Sequence, residues 1–160
     1  MYDFIHYKSP LGMLTIAAER EALIALVIEG QKYAKLHLAG EGQERESPLL
    51  CKVNGWLDRY FSGECPSPAE LPLAPKGTVF QQRVWQELLT IPYGRTDSYG
   101  AIAARLGSSA RAVGSAVGRN PLSILIPCHR VLGTDGSLSG YAGGLENKKK
   151  LLRLEGLQIN

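Results

Sequence analysis

The chain has 160 residues, enough for one domain or two small ones, and its 44% hydrophobic content fits a globular protein and not a disordered one. Its formal net charge of +3 is unevenly shared: eight Lys/Arg face ten Asp/Glu up to Lys76, and ten face five from Gly77 onward. No apolar run approaches the roughly 18 residues of a transmembrane helix, and the start Met1-Tyr2-Asp3-Phe4-Ile5-His6-Tyr7-Lys8 lacks the charged head and apolar core of a signal peptide.

The basic second half points to a polyanion as partner. The three cysteines, Cys51, Cys65 and Cys128, are an odd number without secretory features, which reads as reduced thiols in the cytoplasm. Cys51 and Cys65 together with His6 and His37 show no zinc-ligand spacing, so no metal is expected.

In chain order, residues 2–7 alternate like a strand and Ser9-Pro10-Leu11-Gly12 supplies turn chemistry. Residues 13–18 and 22–28 read as two further strands around the polar turn Glu19-Arg20-Glu21, which predicts an antiparallel meander. A polar loop is expected over 40–48. From 49 to 61, Leu50, Val53, Leu57, Tyr60 and Phe61 recur at helical spacing. No catalytic constellation is visible in this half. Residues 66–77 carry four prolines and read as a stiff linker or strap, placing a domain boundary near 76.

The second half is mainly helical in pattern. Thr78 with Gln81 three positions on is a capping box for a helix reaching Ile91, with Phe80, Val84, Trp85, Leu88 and Leu89 on its apolar face. Ser98 caps a helix over 99–106. Gly107-Ser108-Ser109 turns the chain into a third helix over 110–118, a helix-turn-helix signal. That third helix is built of Ala, Gly and Ser with Arg111, so few side chains reach base edges. Its narrow surface suits a minor groove better than major-groove readout; close packing on the core is the plainer reading. Asn120 suits a turn braced by its own amide.

The chemistry-bearing stretch is Ile124-Leu125-Ile126-Pro127-Cys128-His129-Arg130-Val131. Its apolar flanks are β-prone, and Pro127 cannot donate to a ladder, so it ends regular pairing just before Cys128. An imidazole and a guanidinium beside the thiol would lower its pKa; a buried structural cysteine beside surface His and Arg is the alternative. Residues 139–144 form a Gly-rich loop without a Walker pattern. Residues 145–157 read as an amphipathic helix whose Lys148, Lys149 and Lys150 form a solvated face.

Taken together, Arg111-Ala112-Val113-Gly114, Arg119-Asn120-Pro121, Ile126-Pro127-Cys128-His129-Arg130-Val131, Gly140-Tyr141-x-Gly143-Gly144-Leu145 and Glu155-Gly156 resemble the methylated-DNA–protein-cysteine methyltransferases, the O6-alkylguanine-DNA alkyltransferases. The close match covers about residues 77–157. The resemblance implies a ribonuclease-H-like α/β domain over 1–76 and a mostly helical winged helix-turn-helix domain over 77–160. It further implies a single-use DNA-repair protein, monomeric and without cofactor, acting on double-stranded DNA. O6-alkylguanine would be flipped out through the minor groove and dealkylated, with O4-methylthymine as a second substrate.

By resemblance, Cys128 is the alkyl acceptor, His129 its base through a water, and Glu155 the partner of His129. Asn120 braces the turn, and Tyr99 steers a phosphate and protonates the departing base. Arg111 fills the gap left by that base, and Ala112, Gly114 and Ser115 share its DNA face. Val131, Ser139, Tyr141, Ala142, Gly143 and Lys148 line the base pocket. A cysteine hydrolase using Cys128, His129 and Glu155, or a regulator without chemistry, are the competing classes; adjacency of Cys and His makes the first awkward.

Overall fold

In the computed structural model, which describes residues 1–159, the first half builds the predicted meander. Strands β1 (Tyr2–Ser9), β2 (Gly12–Glu19) and β3 (Ala22–Ile28) pair antiparallel in sequence. The β2–β3 turn places Arg20 and Glu21 at φ 51° and 63°, the positive values that match hairpin turn twist to strand twist. Between α1 (Ala34–His37) and α2 (Pro48–Phe61), the expected polar loop contains β4 (Gly42–Glu44). It adds parallel to β1, giving the sheet order β3-β2-β1-β4. All three β4 residues are exposed, so the strand carries no apolar alternation for a sequence pattern to detect.

Ser47 caps α2 by accepting from Leu50 N at 3.2 Å, and the helix buries Leu50, Val53, Trp56, Leu57 and Tyr60. The Pro-rich strap is ordered by the sheet. Leu23 N donates to Pro72 O and Ala74 N to Leu23 O, both at 2.8 Å.

Helix α3 (Val79–Leu88) starts with the predicted capping box, Gln81 N to Thr78 Oγ1 at 3.1 Å and Thr78 N to Gln81 Oε1 at 2.9 Å. It ends at Leu88, short of the expected Ile91. Helix α4 (Tyr99–Leu106) closes on Gly107 at φ 64°, a left-handed cap that glycine adopts without Cβ strain. Ser109 then caps α5 (Ala110–Gly118) through Ala112 N at 3.1 Å. Trp85 Nε1 donates to Ala116 O at 2.9 Å, pinning α5 to α3. Two short parallel strands, β5 (Asp97–Ser98) and β6 (Val131–Leu132), and α6 (Leu145–Leu154) complete the chain.

One apolar core joins the halves, running from Ile16, Leu26 and Ile28 through Trp56 to Val113, Leu122 and Leu151. Backbone pairing crosses with it. Leu26 N donates to Pro121 O at 2.9 Å and Ser123 N to Leu26 O at 3.1 Å, so β3 holds the segment that leads to Cys128. Among the described residues no helix is long and apolar enough to cross a membrane.

The segment expected to be strand-like is not a strand. Ile124 sits at φ 73°, an unusual value for a β-branched residue. Leu125 N bonds Ser123 O at 2.8 Å and Ile126 N bonds Leu122 O at 2.9 Å, and a 3-10 turn spans Cys128–Arg130. Side-chain amide bonds replace the ladder: Asn120 Oδ1 accepts from Leu122 N at 3.0 Å and Nδ2 donates to Ile126 O at 2.9 Å. An apolar run buried on all sides has no period that separates strand from coiled turns.

Candidate thiol acceptor site

The 3-10 turn buries its three polar side chains together: Cys128 is 3% exposed, His129 0% and Arg130 7%. Glu155 meets them from the end of α6. That helix was expected to reach 157 but stops at Leu154; Gly156 at φ 92° reverses the chain and turns the Glu155 side chain inward. Its Oε2 accepts from His129 Nε2 at 2.7 Å and Arg130 Nη2 at 3.0 Å, and its Oε1 from Arg130 Nε at 2.7 Å. Tyr60 Oη donates to the same Oε2 at 2.5 Å. Burial raises the carboxyl's pKa, but the bonds from His129 and then Arg130 prevail and hold it at about 2.

His129 is pinned by this arrangement. With Nε2–H donated to a carboxylate, its Nδ1 has no hydrogen-bond partner among the described residues. Burial lowers the imidazole's pKa in spite of Glu155, so at neutral pH the ring is a neutral base with a free lone pair on Nδ1.

The thiol differs from expectation. Burial pushes Cys128 upward, opposed by Asn120 and by the positive charge of Lys148. The cationic neighbour is therefore Lys148 and not Arg130, whose guanidinium is spent on Glu155 and on Ile91 O at 2.7 Å. A resting thiol, activated at the moment of attack by a base, follows from this balance.

Lys148 also departs from the expected solvated face: it is 0% exposed. Its Nζ donates to Val131 O at 2.6 Å, Ser139 O at 3.0 Å and Gly140 O at 3.3 Å, tying the Gly-rich loop to β6. Burial lowers its pKa to about 8. Gly143 allows that loop to lie against β3, since a Cβ there would come within 2.7 Å of Ile28 Cδ1 and Tyr141 Cε2.

A cavity of about 330 Å³ opens over the thiol, lined by Cys128, Tyr99, Gly114, Ser115, Tyr141 and Ala142 from the expected set. Tyr99 is half-buried against Gly114. The Tyr141 hydroxyl is buried without a hydrogen-bond partner among the described residues, and burial and then the nearby Cys128 thiol raise its pKa. Arg111 and Ala112 lie outside the cavity on the first turn of α5, with Arg111 exposed. Val131 and Ser139 contribute carbonyls to Lys148 and not side chains to the cavity.

Other residues had no motif to announce them. Lys32 and Tyr33 wall the cavity from the first half, and Lys32 N donates to Ala142 O at 2.9 Å. Gln31 Oε1 accepts from Ser123 Oγ at 3.1 Å, tying the turn after β3 to the segment that leads to Cys128. Tyr60 joins the motif residue Arg130 in the shell of Glu155. Gly30 after a strand signals a turn, but nothing in sequence says what the turn faces.

A buried cysteine, an imidazole held by a carboxylate and a cavity lined by a small-residue helix make a site in which the thiol is the group placed to react. Known proteins similar to this chain narrow the class of protein. Residues 4–75 match the family described as 6-O-methylguanine DNA methyltransferase, ribonuclease-like domain, and residues 79–157 match its DNA binding domain. A Haemophilus influenzae methylated-DNA–protein-cysteine methyltransferase is 44% identical over 157 residues, covering 95% of this chain and 85% of that one. The Mycobacterium leprae protein of the same name is 47% identical over 154 residues, with coverage of 94% and 90%. A crystal structure of Mycobacterium tuberculosis OGT in complex with DNA superposes with a TM-score of 0.86 at 41% identity, covering 96% of this chain and 92% of that one. The chain belongs to the 6-O-methylguanine DNA methyltransferase family, with its ribonuclease-like and helical DNA-binding parts.

Proposed function

We propose that this protein repairs DNA by direct reversal, moving the alkyl group of O6-alkylguanine onto Cys128 in one irreversible turnover. The carrying observation is Cys128 within the cavity beside His129, whose Nε2 is held by Glu155 and whose Nδ1 is free. His129 Nδ1 takes the thiol proton through a bridging water. The sulfur attacks the alkyl carbon, an S–C bond forms, the C–O6 bond breaks, and its electron pair stays with guanine. The departing guanine takes up one proton, delivered through Tyr99, so thiol plus alkylguanine balance to thioether plus guanine with no cofactor. Asn120 keeps the turn in place, and Lys148 offsets charge on the sulfur.

The domain boundary near residue 76 separates a scaffold from the DNA-facing part. The latter acts as a winged helix-turn-helix in which α5, with Arg111, Ala112, Gly114 and Ser115, enters the minor groove of double-stranded DNA. Its small face lets the backbone approach closely. Arg111 fills the gap left by the flipped base, which offsets part of an unstacking cost of a few kcal/mol. Tyr141 and Ala142 frame the base, whether O6-alkylguanine or O4-methylthymine, while Val131 and Ser139 through Lys148 and Gly143 against β3 hold the loop that carries them. The protein works as a monomer in the cytoplasm, consistent with three free cysteines.

Exposure to a duplex bearing one O6-methylguanine is expected to add one methyl group per molecule, on the peptide carrying Cys128, by mass spectrometry. Methyl on another residue, or repeated turnover, would refute the scheme. Arg111→Ala is expected to slow repair of duplex DNA by about tenfold or more while changing the reaction with free O6-methylguanine base little, because only duplex needs flipping. Equal losses on both substrates would remove Arg111 from the flipping role.

A further inference from the structure

The first half, where sequence showed no catalytic constellation, reaches the site through Tyr60 near the end of α2. The residue is 1% exposed, and its ring stacks on Trp56 with centroids 5.5 Å apart. Its hydroxyl donates at 2.5 Å to Glu155, 95 positions away in the chain. The oxygen it reaches, Oε2, is the one that also holds His129 Nε2. A phenol in this place is not needed to fill space, since phenylalanine would keep the stack. Its hydroxyl has one acceptor, and that acceptor is the carboxylate that orients the base.

We propose that Tyr60 is a positioning residue for methyl transfer, fixing Glu155 Oε2 so that His129 keeps its Nε2–H tautomer with Nδ1 free. This rests on the reading of Cys128 as acceptor. The charged and titratable groups bearing on this centre come from every side. Arg130 and Cys128 share the 3-10 turn with His129, Lys148 comes from α6, Tyr141 from the Gly-rich loop, and Tyr93 from the loop after α3. Among the tyrosines, Tyr60 bonds Glu155 directly, while Tyr93 Oη donates instead to Leu154 O at 3.1 Å. Hydrogen bonding to a carboxylate spreads its charge. Without the phenol, Glu155 acts more strongly on the imidazole and stabilises its protonated form, which cannot accept the thiol proton.

The test is the pH dependence of single-turnover methyl transfer by full-length Tyr60→Phe, read as intact mass with a duplex carrying one O6-methylguanine. The acid limb of the rate profile is expected to move up by about one pH unit, a rate about tenfold lower on that limb. Tyr7→Phe is the control, because Tyr7 Oη donates to Asp58 Oδ1 at 2.6 Å on the same helix α2 and not to Glu155. Its profile should match the unaltered protein. Superimposable profiles for Tyr60→Phe and the unaltered protein would overturn the proposal. Failure of the unaltered protein to take any methyl group would instead overturn the acceptor reading, and this proposal with it. Should Tyr60→Phe not fold, NMR of the unaltered protein decides. A slowly exchanging tyrosine hydroxyl proton with an Overhauser contact to the His129 ring supports the role, and its absence overturns it.

Discussion

Cys128→Ser is expected to abolish repair while leaving the protein folded and able to hold alkylated DNA. A serine hydroxyl is a far weaker nucleophile toward a saturated carbon than a thiolate, and His129 does not deprotonate it appreciably. The loss should be on the order of 10⁴-fold or more, as for other enzymes deprived of their covalent nucleophile. Packing changes little because sulfur and oxygen occupy the same buried place, so stability should move by no more than about 1–2 kcal/mol. Transfer assays on the variant and lesion-duplex binding by titration separate the two effects. Cys51 and Cys65 are exposed thiols outside the site, so they should stay unalkylated in both proteins. Lesion removal by Cys128→Ser at a rate near that of the unaltered protein would end the acceptor reading.

Glu155→Gln should have the largest effect on stability. It removes the counter-charge of Arg130, which is buried and bonded twice to this carboxylate, and breaking one side of a buried pair costs about 3–5 kcal/mol. For a chain of this size that lowers Tm by on the order of 10 °C, measurable by calorimetry. Methyl transfer should fall with it, since His129 loses the anion that orients it.

The same group predicts the acid limit of the native state. Glu155 has its pKa lowered from 4.5 to about 2 in the folded protein. Its contribution, about 3 kcal/mol, is therefore complete above the unfolded value of 4.5 and disappears as pH falls toward 2. His129 acts in the same direction at higher pH: its folded pKa lies below 6.5, so protonation favours the unfolded chain as pH drops through that value. Stability of the unaltered protein should thus fall continuously below about pH 6.5. The gap between it and Glu155→Gln should narrow below about pH 4.5 and close only as pH approaches 2. A gap independent of pH would show that the carboxylate's charge is not what stabilises the fold.

Much of the local structure was legible because its causes act over a few residues. The Thr78–Gln81 box and the Ser98 cap each join side chain and backbone within one helical turn, and the turn at Gly107 needs only a residue free to adopt a left-handed φ. The meander was legible through alternation, and β4 was hidden because an exposed three-residue strand has none. Helix α6 was overextended because Gly156, whose φ of 92° ends it, can sit within a helical pattern at modest cost.

The site divides in the same way. Sequence by itself showed which group is chemically able to react: Pro127-Cys128-His129-Arg130 carries a soft nucleophile beside a base, and the small-residue helix after Ser109 offers few side chains to a major groove. Tertiary structure decided how the group is held. It assigned Arg130 to Glu155 and put Lys148, in place of the adjacent guanidinium, near the thiol as its cation. It brought Tyr60 across 95 positions to the carboxylate, and set Lys32 and Tyr33 along the cavity. The reason is physical. Reactivity belongs to a side chain and its kind, but a pKa and an orientation belong to the dielectric and the donors around it. In a buried site those are supplied by whichever segments the core packs together.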